Sequence, residues 1–171
     1  MSTVVRWLAA GGLALVLAAC STTEAGSPRA ADPAVTSEGD GPSLNQIEPC
    51  DLLSGEDLSR LGLGDGEEAD FGDSPGCDWS KSADFGVLIG LSPDLGAEEA
   101  NLQGATPVPV TVGSHDAFRV EEQGGAMGSC AILVVVSDSS YVDVTTTAGD
   151  DTPKACDKAN EVAELVEPKL P

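Results

Sequence analysis

Four cysteines, Cys50, Cys77, Cys130 and Cys156, are spread through the last 128 residues of this 171-residue chain, and they constrain its fold more than any other feature. Their chemistry depends on the compartment, which the N-terminus indicates. Residues 1–20 read MSTVVRWLAAGGLALVLAAC, a short start bearing Arg6 and then 13 uncharged residues from Trp7 to Ala19. A bilayer-spanning helix needs roughly 20 apolar residues, so this run fits the apolar part of an export signal better. In an exported chain an even number of cysteines predicts two disulfides. Three pairings are open. Cys50 with Cys77 and Cys130 with Cys156 is preferred, because each bond closes a loop of 26 or 27 residues and ties a helix-like segment to a strand-like one. A four-thiolate zinc site is the weaker alternative, since the chain has no C-x₂-C pair.

The apolar run ends in Leu17-Ala18-Ala19-Cys20, small residues followed at once by a cysteine, which resembles the bacterial lipobox. In lipoproteins of that type the thiol carries diacylglycerol and the cysteine becomes the first mature residue. Two acyl chains anchor durably where one is marginal. From Ser21 to Ser43 follow 23 residues rich in Ser, Thr, Ala, Gly and Pro, with Val35 the only large aliphatic. Such a segment cannot bury enough to order itself and reaches on the order of 25 Å as a coil. The expected organisation is therefore signal peptide 1–19, lipidated Cys20 with a flexible tether 20–43, and one domain over 44–171. The protein is expected on the outer face of the cell membrane, held through Cys20.

Charge narrows the partners. The chain has 8 Lys and Arg against 29 Asp and Glu, a net −21. Counterion release on nucleic acid needs clustered cations, so nucleic acid is excluded as a partner. With 41% hydrophobic residues but only six aromatics, the core must come from Val, Leu, Ile and Ala.

Periodicity gives the elements. Ser54 with Asp57 three positions on, Leu53 and Leu58 as a staple, and Gly62 and Gly64 as a stop predict a short helix. Pro153 as the first helical residue after Thr152, with Ala155, Ala159, Val162, Ala163 and Val166 on one face before Pro168, predicts a longer one that lies on something flat. Between them the period is two: Phe85, Val87, Ile89 and Leu91 predict a strand, and Val108–Val112 an edge strand because of Pro107 and Pro109. Ala117 to Val120 gives another strand. Cys130–Val136 and Tyr141–Thr147 around Ser137–Ser140 read as a central hairpin. Short connections favour antiparallel pairing. The fold class is α+β: an antiparallel meandering sheet with a short N-terminal helix and a longer C-terminal helix packed on it, stapled by two disulfides.

Glu48-Pro49-Cys50-Asp51-Leu52-Leu53, the helix with Leu58 and Leu61, Gly76-Cys77-Asp78-Trp79, the strand opening at Cys130 and the Ala-rich helix containing Cys156 together resemble the actinobacterial lipoprotein family called domain of unknown function 3558. The resemblance spans nearly the whole mature domain. It implies a secreted, lipid-anchored envelope protein of a Gram-positive, high-GC organism, and it implies no activity.

No constellation of catalytic residues emerges. Gly72-Asp73-Ser74-Pro75-Gly76 spells a nucleophile elbow, but Pro75 lacks the N–H that the oxyanion hole requires and no strand pattern precedes Gly72, so a plain turn is expected. His115 stands between Ser114 and Asp116, yet consecutive side chains on extended backbone point opposite ways, and a surface-loop histidine is expected. Asp65, Glu67, Glu68, Asp70 and Asp73 could collect Ca²⁺, but the run fails the calcium-loop template and reads as a solvated loop. Trp79 is expected against a disulfide, with Phe71 and Phe118 in the core, although Trp79 and Tyr141 could stack on a ligand. Gly124–Gly128 reads as a turn into the Cys130 strand, not a phosphate loop. No cofactor and no metal site is expected. The sequence favours a non-enzymatic binding or accessory module for an unknown small molecule, glycan or protein, with the sheet face opposite the helices as its default site. A carboxylate-dependent glycan or cell-wall hydrolase and a structural protein-interaction lipoprotein are the alternatives.

Overall fold

The structure, a computed structural model, describes residues 43–71, 74–79 and 84–171. The signal segment 1–19, Cys20 and the tether up to residue 42 lie outside the described residues, as do Gly72 and Asp73. Two 3₁₀ turns, Leu44–Gln46 and Pro49–Leu52, lead into helix α1 (Gly55–Leu61). Three strands follow: β1 (Glu67–Phe71), β2 (Ser74–Asp78) and β3 (Gly86–Ser92). After a long connection come β4 (Val108–Val112), β5 (His115–Glu121), β6 (Ser129–Ser137) and β7 (Ser140–Thr147), and then helix α2 (Thr152–Val166).

The seven strands form one antiparallel sheet in the order β1-β2-β3-β7-β6-β5-β4. Two meanders, β1 to β3 and β4 to β7, are thus zipped together by β7 pairing with β3, from Gly86↔Thr147 to Ser92↔Tyr141. To start the second meander at the far edge, the chain after Ser92 crosses one sheet face as a strap over residues 93–107. The other face carries α2. The expected α+β class, both helices and the central hairpin are all present.

Alternation along each strand sorts residues between these faces. On β6, Cys130, Ile132 and Val134 join the core under α2, while Ala131, Leu133 and Val135 belong to the cluster under the strap. This burial on both faces explains why β6 reads as an unbroken apolar run. The α2 stripe of Ala155, Cys156, Ala159, Val162, Ala163 and Val166 is buried, and its small side chains let the helix lie close to β6 and β7. Thr146, fully buried, donates its hydroxyl to the Ala155 carbonyl, so even the polar residue under the helix is satisfied.

Both disulfides follow the preferred pairing. Cys50–Cys77 fastens the second 3₁₀ turn to β2 with a Cα separation of 5.1 Å, and Cys130–Cys156 fastens β6 to α2 at 4.9 Å. Trp79 is buried beside the first of these: a Cβ on Gly66 would meet both the Trp79 indole nitrogen and the Cys77 sulfur. Helix α1 begins with the expected capping box. Ser54 Oγ accepts from the Asp57 N–H at 3.2 Å and Asp57 Oδ2 accepts from the Ser54 N–H at 3.0 Å, and Gly62 ends the helix in the left-handed conformation.

Three expectations are corrected. The acidic stretch is not a solvated loop over 65–73: Glu67–Phe71 is the edge strand β1, paired with Ser74–Asp78. An edge strand needs little apolar alternation, because its ladder and the inward Ala69 and Phe71 hold it, while outward acids are compatible with a free edge. That same strand precedes Gly72, where no strand was expected. Helix α2 is capped one residue earlier than Thr152, by the Asp151 side chain accepting from the Lys154 N–H at 3.0 Å. The Thr152 hydroxyl instead donates to Glu122 and accepts from the Gly128 N–H, tying the helix start to the turn before β6.

Two measurements check this architecture. Peptide mapping without reduction will recover Cys50 linked to Cys77 and Cys130 linked to Cys156. Ser54→Ala will lower the unfolding free energy by about 1 kcal/mol, because it removes a cap without touching the core.

Candidate functional site

The face of the sheet away from α2 carries the site. On β7 the alternation turns Val142 and Val144 toward α2 and leaves Tyr141, Asp143 and Thr145 on the opposite side. Asp143 sits at the middle of that face. Its cross-strand neighbours are Gly90 on β3, which adds no side chain, and Leu133 on β6, which is aliphatic. The Phe71 ring reaches over the space beside Gly90, 3.4 Å from where a Cβ would stand.

The strap completes a groove. Ala97, Ala100, Leu102 and Ala105 pack on Val120, Ala131, Leu133 and Tyr141, and Gln123 Nε2 donates to the Asn101 carbonyl at 2.7 Å. Between strap and sheet lies a volume of about 500 Å³ lined by Phe71, Leu95, Leu102, Leu133, Tyr141 and Asp143, with Ser74 and Ser92 at one end and Gln103 and Gln123 toward the other. That volume suits a small organic ligand.

The electrostatics are uneven. Asp143 Oδ1 accepts a 2.7 Å hydrogen bond from the Thr145 hydroxyl. Burial pushes the carboxyl up to about 6, and the Thr145 bond opposes this only in part. No cation among the described residues relieves it. Every lysine and arginine among the described residues lies elsewhere, on α1, α2, the turn after α2 and the α2-facing side of β5. Arg60 pairs with Asp57 at 3.3 Å, Arg119 with Glu121 at 3.0 Å and Lys158 with Glu161 at 2.8 Å, while Lys154 donates to the Asp84 carbonyl and Lys169 to that of Leu52. Beyond the strap a second hollow of about 410 Å³ holds Phe118 and Val135 among Glu98, Glu99, Asp116 and Asp138.

Most of the residues singled out from the sequence lie apart from this groove. Ser74 opens β2 at its end, with its Oγ 3.3 Å from that of Ser92; a strand, not a helix, follows it, so the elbow geometry is absent. His115 is not a loop residue. It starts β5 half-buried, with Nδ1 2.9 Å from Glu167 Oε1 and Nε2 3.3 Å from the Pro171 oxygen. The Ser114 hydroxyl and N–H donate to the same Glu167 oxygen at 2.8 Å. The carboxylate thus stands between Ser and His, where a triad places the imidazole between the other two. Led by the Ser114 N–H, these bonds hold Glu167 down to about 2. The arrangement clamps the C-terminus, and Gly113, at φ 56°, leaves the room that Glu167 fills.

Of the two stacking candidates, Tyr141 lines the groove and Trp79 is buried beside the first disulfide, whereas Phe71, expected in the core, is half-buried in the groove wall because it sits on an edge strand over Gly90. Among the described residues no three His, Cys, Asp or Glu side chains converge as a metal site. Asp143 was not legible as a site residue, because Tyr-Val-Asp-Val-Thr reads as an ordinary half-buried strand. The only available signal was a lone acid between two valines in a strand expected at the sheet centre.

The pKa of Asp143 has a thermodynamic sign. Folding raises it from 3.8 to about 6, so the folded state holds the proton more tightly than the unfolded chain. This contribution to stability is present in acid and is lost as the pH rises through 6. Relative to Asp143→Asn, the unmodified protein should lose on the order of 2 kcal/mol between pH 4 and pH 7, read as the change in urea midpoints at the two pH values. A difference between the two proteins that stays constant with pH would contradict this.

Comparison with known proteins gives a family without an activity. No curated protein matches the chain, and no solved structure matches it. The family described as protein of unknown function (DUF3558) matches residues 15–169, and the chain belongs to that family.

Proposed function

We propose that this protein is a lipid-anchored, extracytoplasmic lipoprotein of an actinobacterial envelope that binds a small molecule in the groove under the strap and catalyses no reaction. The binding reading is carried by Asp143: a carboxyl on an apolar sheet face, raised to about 6 by burial and facing a groove of about 500 Å³. A group that lowers stability at neutral pH and has no structural counter-ion marks a functional site more often than a structural one. The lining favours binding over hydrolysis of glycans. Asp143 is the only carboxylate among the described residues that line the groove, whereas a glycosidase needs two flanking one bond. Leu17-Ala18-Ala19-Cys20 supports anchoring, and the low-complexity segment after it supports a tether.

Two experiments test the reading. Mass spectrometry of protein extracted from membranes will show Cys20 as the first residue, bearing diacylglycerol, and Cys20→Ala will move the protein into the medium; an unmodified terminus downstream of Cys20 overturns the anchor. Amide chemical shifts followed while a neutral aromatic alcohol is added will move at Leu133, Tyr141 and Asp143 and stay fixed along α2. No movement at those three positions counts against the groove as a binding site.

A further inference from the structure

We infer that the groove takes an organic cation, its ammonium or guanidinium head against the Asp143 carboxylate and its apolar body along Leu102, Leu133 and Tyr141, an assignment that rests on the binding reading above and adds the ligand's charge. The geometry supplies the seat. Thr145 occupies Asp143 Oδ1, and among the described residues no side chain or backbone group bonds Oδ2. Gly90 opposite adds no side chain of its own, and the Phe71 ring stands over that position, so a head group beside the carboxylate on the β3 side meets an aromatic ring. Phe71 and Tyr141 stand in the same wall, and aromatic faces attract cations by about 0.5–2 kcal/mol depending on desolvation.

The charge distribution supplies the sign. Among the described residues no lysine or arginine lines the groove, and the hollow beyond the strap adds Glu98, Glu99, Asp116 and Asp138. The charged side chains that line this face among the described residues are all acids, which favours cations over carboxylates and phosphates. A bare divalent metal fits poorly. Calcium wants six to eight oxygens, and among the described lining residues there is one carboxylate, with Ser and Gln side chains only toward the two ends of the groove. An ammonium on a hydrocarbon body uses both the charge and the apolar lining.

A proton and the cation compete for Asp143. Around it, Gly90 from β3 and Leu133 from β6 do not titrate, the strap contributes Asn101, Leu102 and Gln103, and among the described residues Tyr141 is the other titratable group lining the groove. Affinity for a permanently charged head should therefore fall as the pH drops from 7 to 5, by about tenfold for a group titrating near 6.

Three probes of nearly equal apolar body test this on the full chain by titration calorimetry and amide shifts: 4-phenylbutylammonium, 4-phenylbutanol and 4-phenylbutyrate. The expected result is that the ammonium binds at least tenfold tighter than the alcohol at pH 7, with the carboxylate weakest. Asp143→Asn should bring the ammonium down to the affinity that the same variant shows for the alcohol. The pH dependence in the unmodified protein gives the same answer without any variant. If the alcohol moves the Leu133, Tyr141 and Asp143 amides but the ammonium gains nothing over it, the charge assignment is overturned while the binding reading stands. If none of the probes moves those amides, both are overturned.

Discussion

The pairing of β3 with β7 holds the rest of the structure in place. Each meander alone is a small sheet with two open edges. Joined along seven residue pairs, they become one surface broad enough for α2 on one side and the strap on the other. The same pairing brings Gly90 beside Asp143. The valines that turn toward α2 and the carboxylate that turns away from it lie on a single strand, so the registration that builds the core also sets the groove, and the site cannot shift without the core shifting with it.

The disulfides tie to the sheet two elements that lie outside its hydrogen-bonded ladder. One closes the N-terminal turn onto β2, next to an edge strand rich in acids. The other pins α2, whose contact with the sheet is made of alanines and valines with modest area for each residue. Each closes a loop of 26 or 27 residues and on the chain-entropy account contributes about 3.5 kcal/mol. For a core with so few aromatic residues, these are large contributions.

Sequence pattern revealed what depends on a residue's own neighbours along the chain. The Ser54 cap, the stripe of α2, the alternation of β3 and the proline-marked edge strand β4 were all readable, since each is a local pattern with a definite period. Strand β1 was not readable, because at a sheet edge its identity comes from β2 and from Phe71 settling beside Gly90. The cap of α2 was misplaced by one residue because Asp151 and Thr152 are both good caps, and the contacts of Thr152 with Glu122 and Gly128 decide between them. Asp143 was missed for a related reason. Periodicity says which face a residue takes but not what covers that face, and here a strap from a distant part of the chain turns an apparently solvent-facing acid into a half-buried one. His115 shows the converse: its tempting neighbours in sequence matter less than Glu167, which is 52 positions away.

The outermost strands have a consequence for the protein among its own copies. Backbone groups at a sheet margin invite further strands from other molecules. Here one margin, β1, carries Glu67, Glu68 and Asp70, so a second copy approaching it would meet like charge. The other margin, β4, contains Pro109, which cannot donate to an added ladder. Growth by strand addition is thus opposed electrostatically on one side and by a missing donor on the other, so neither margin of the sheet is an easy template for a second copy.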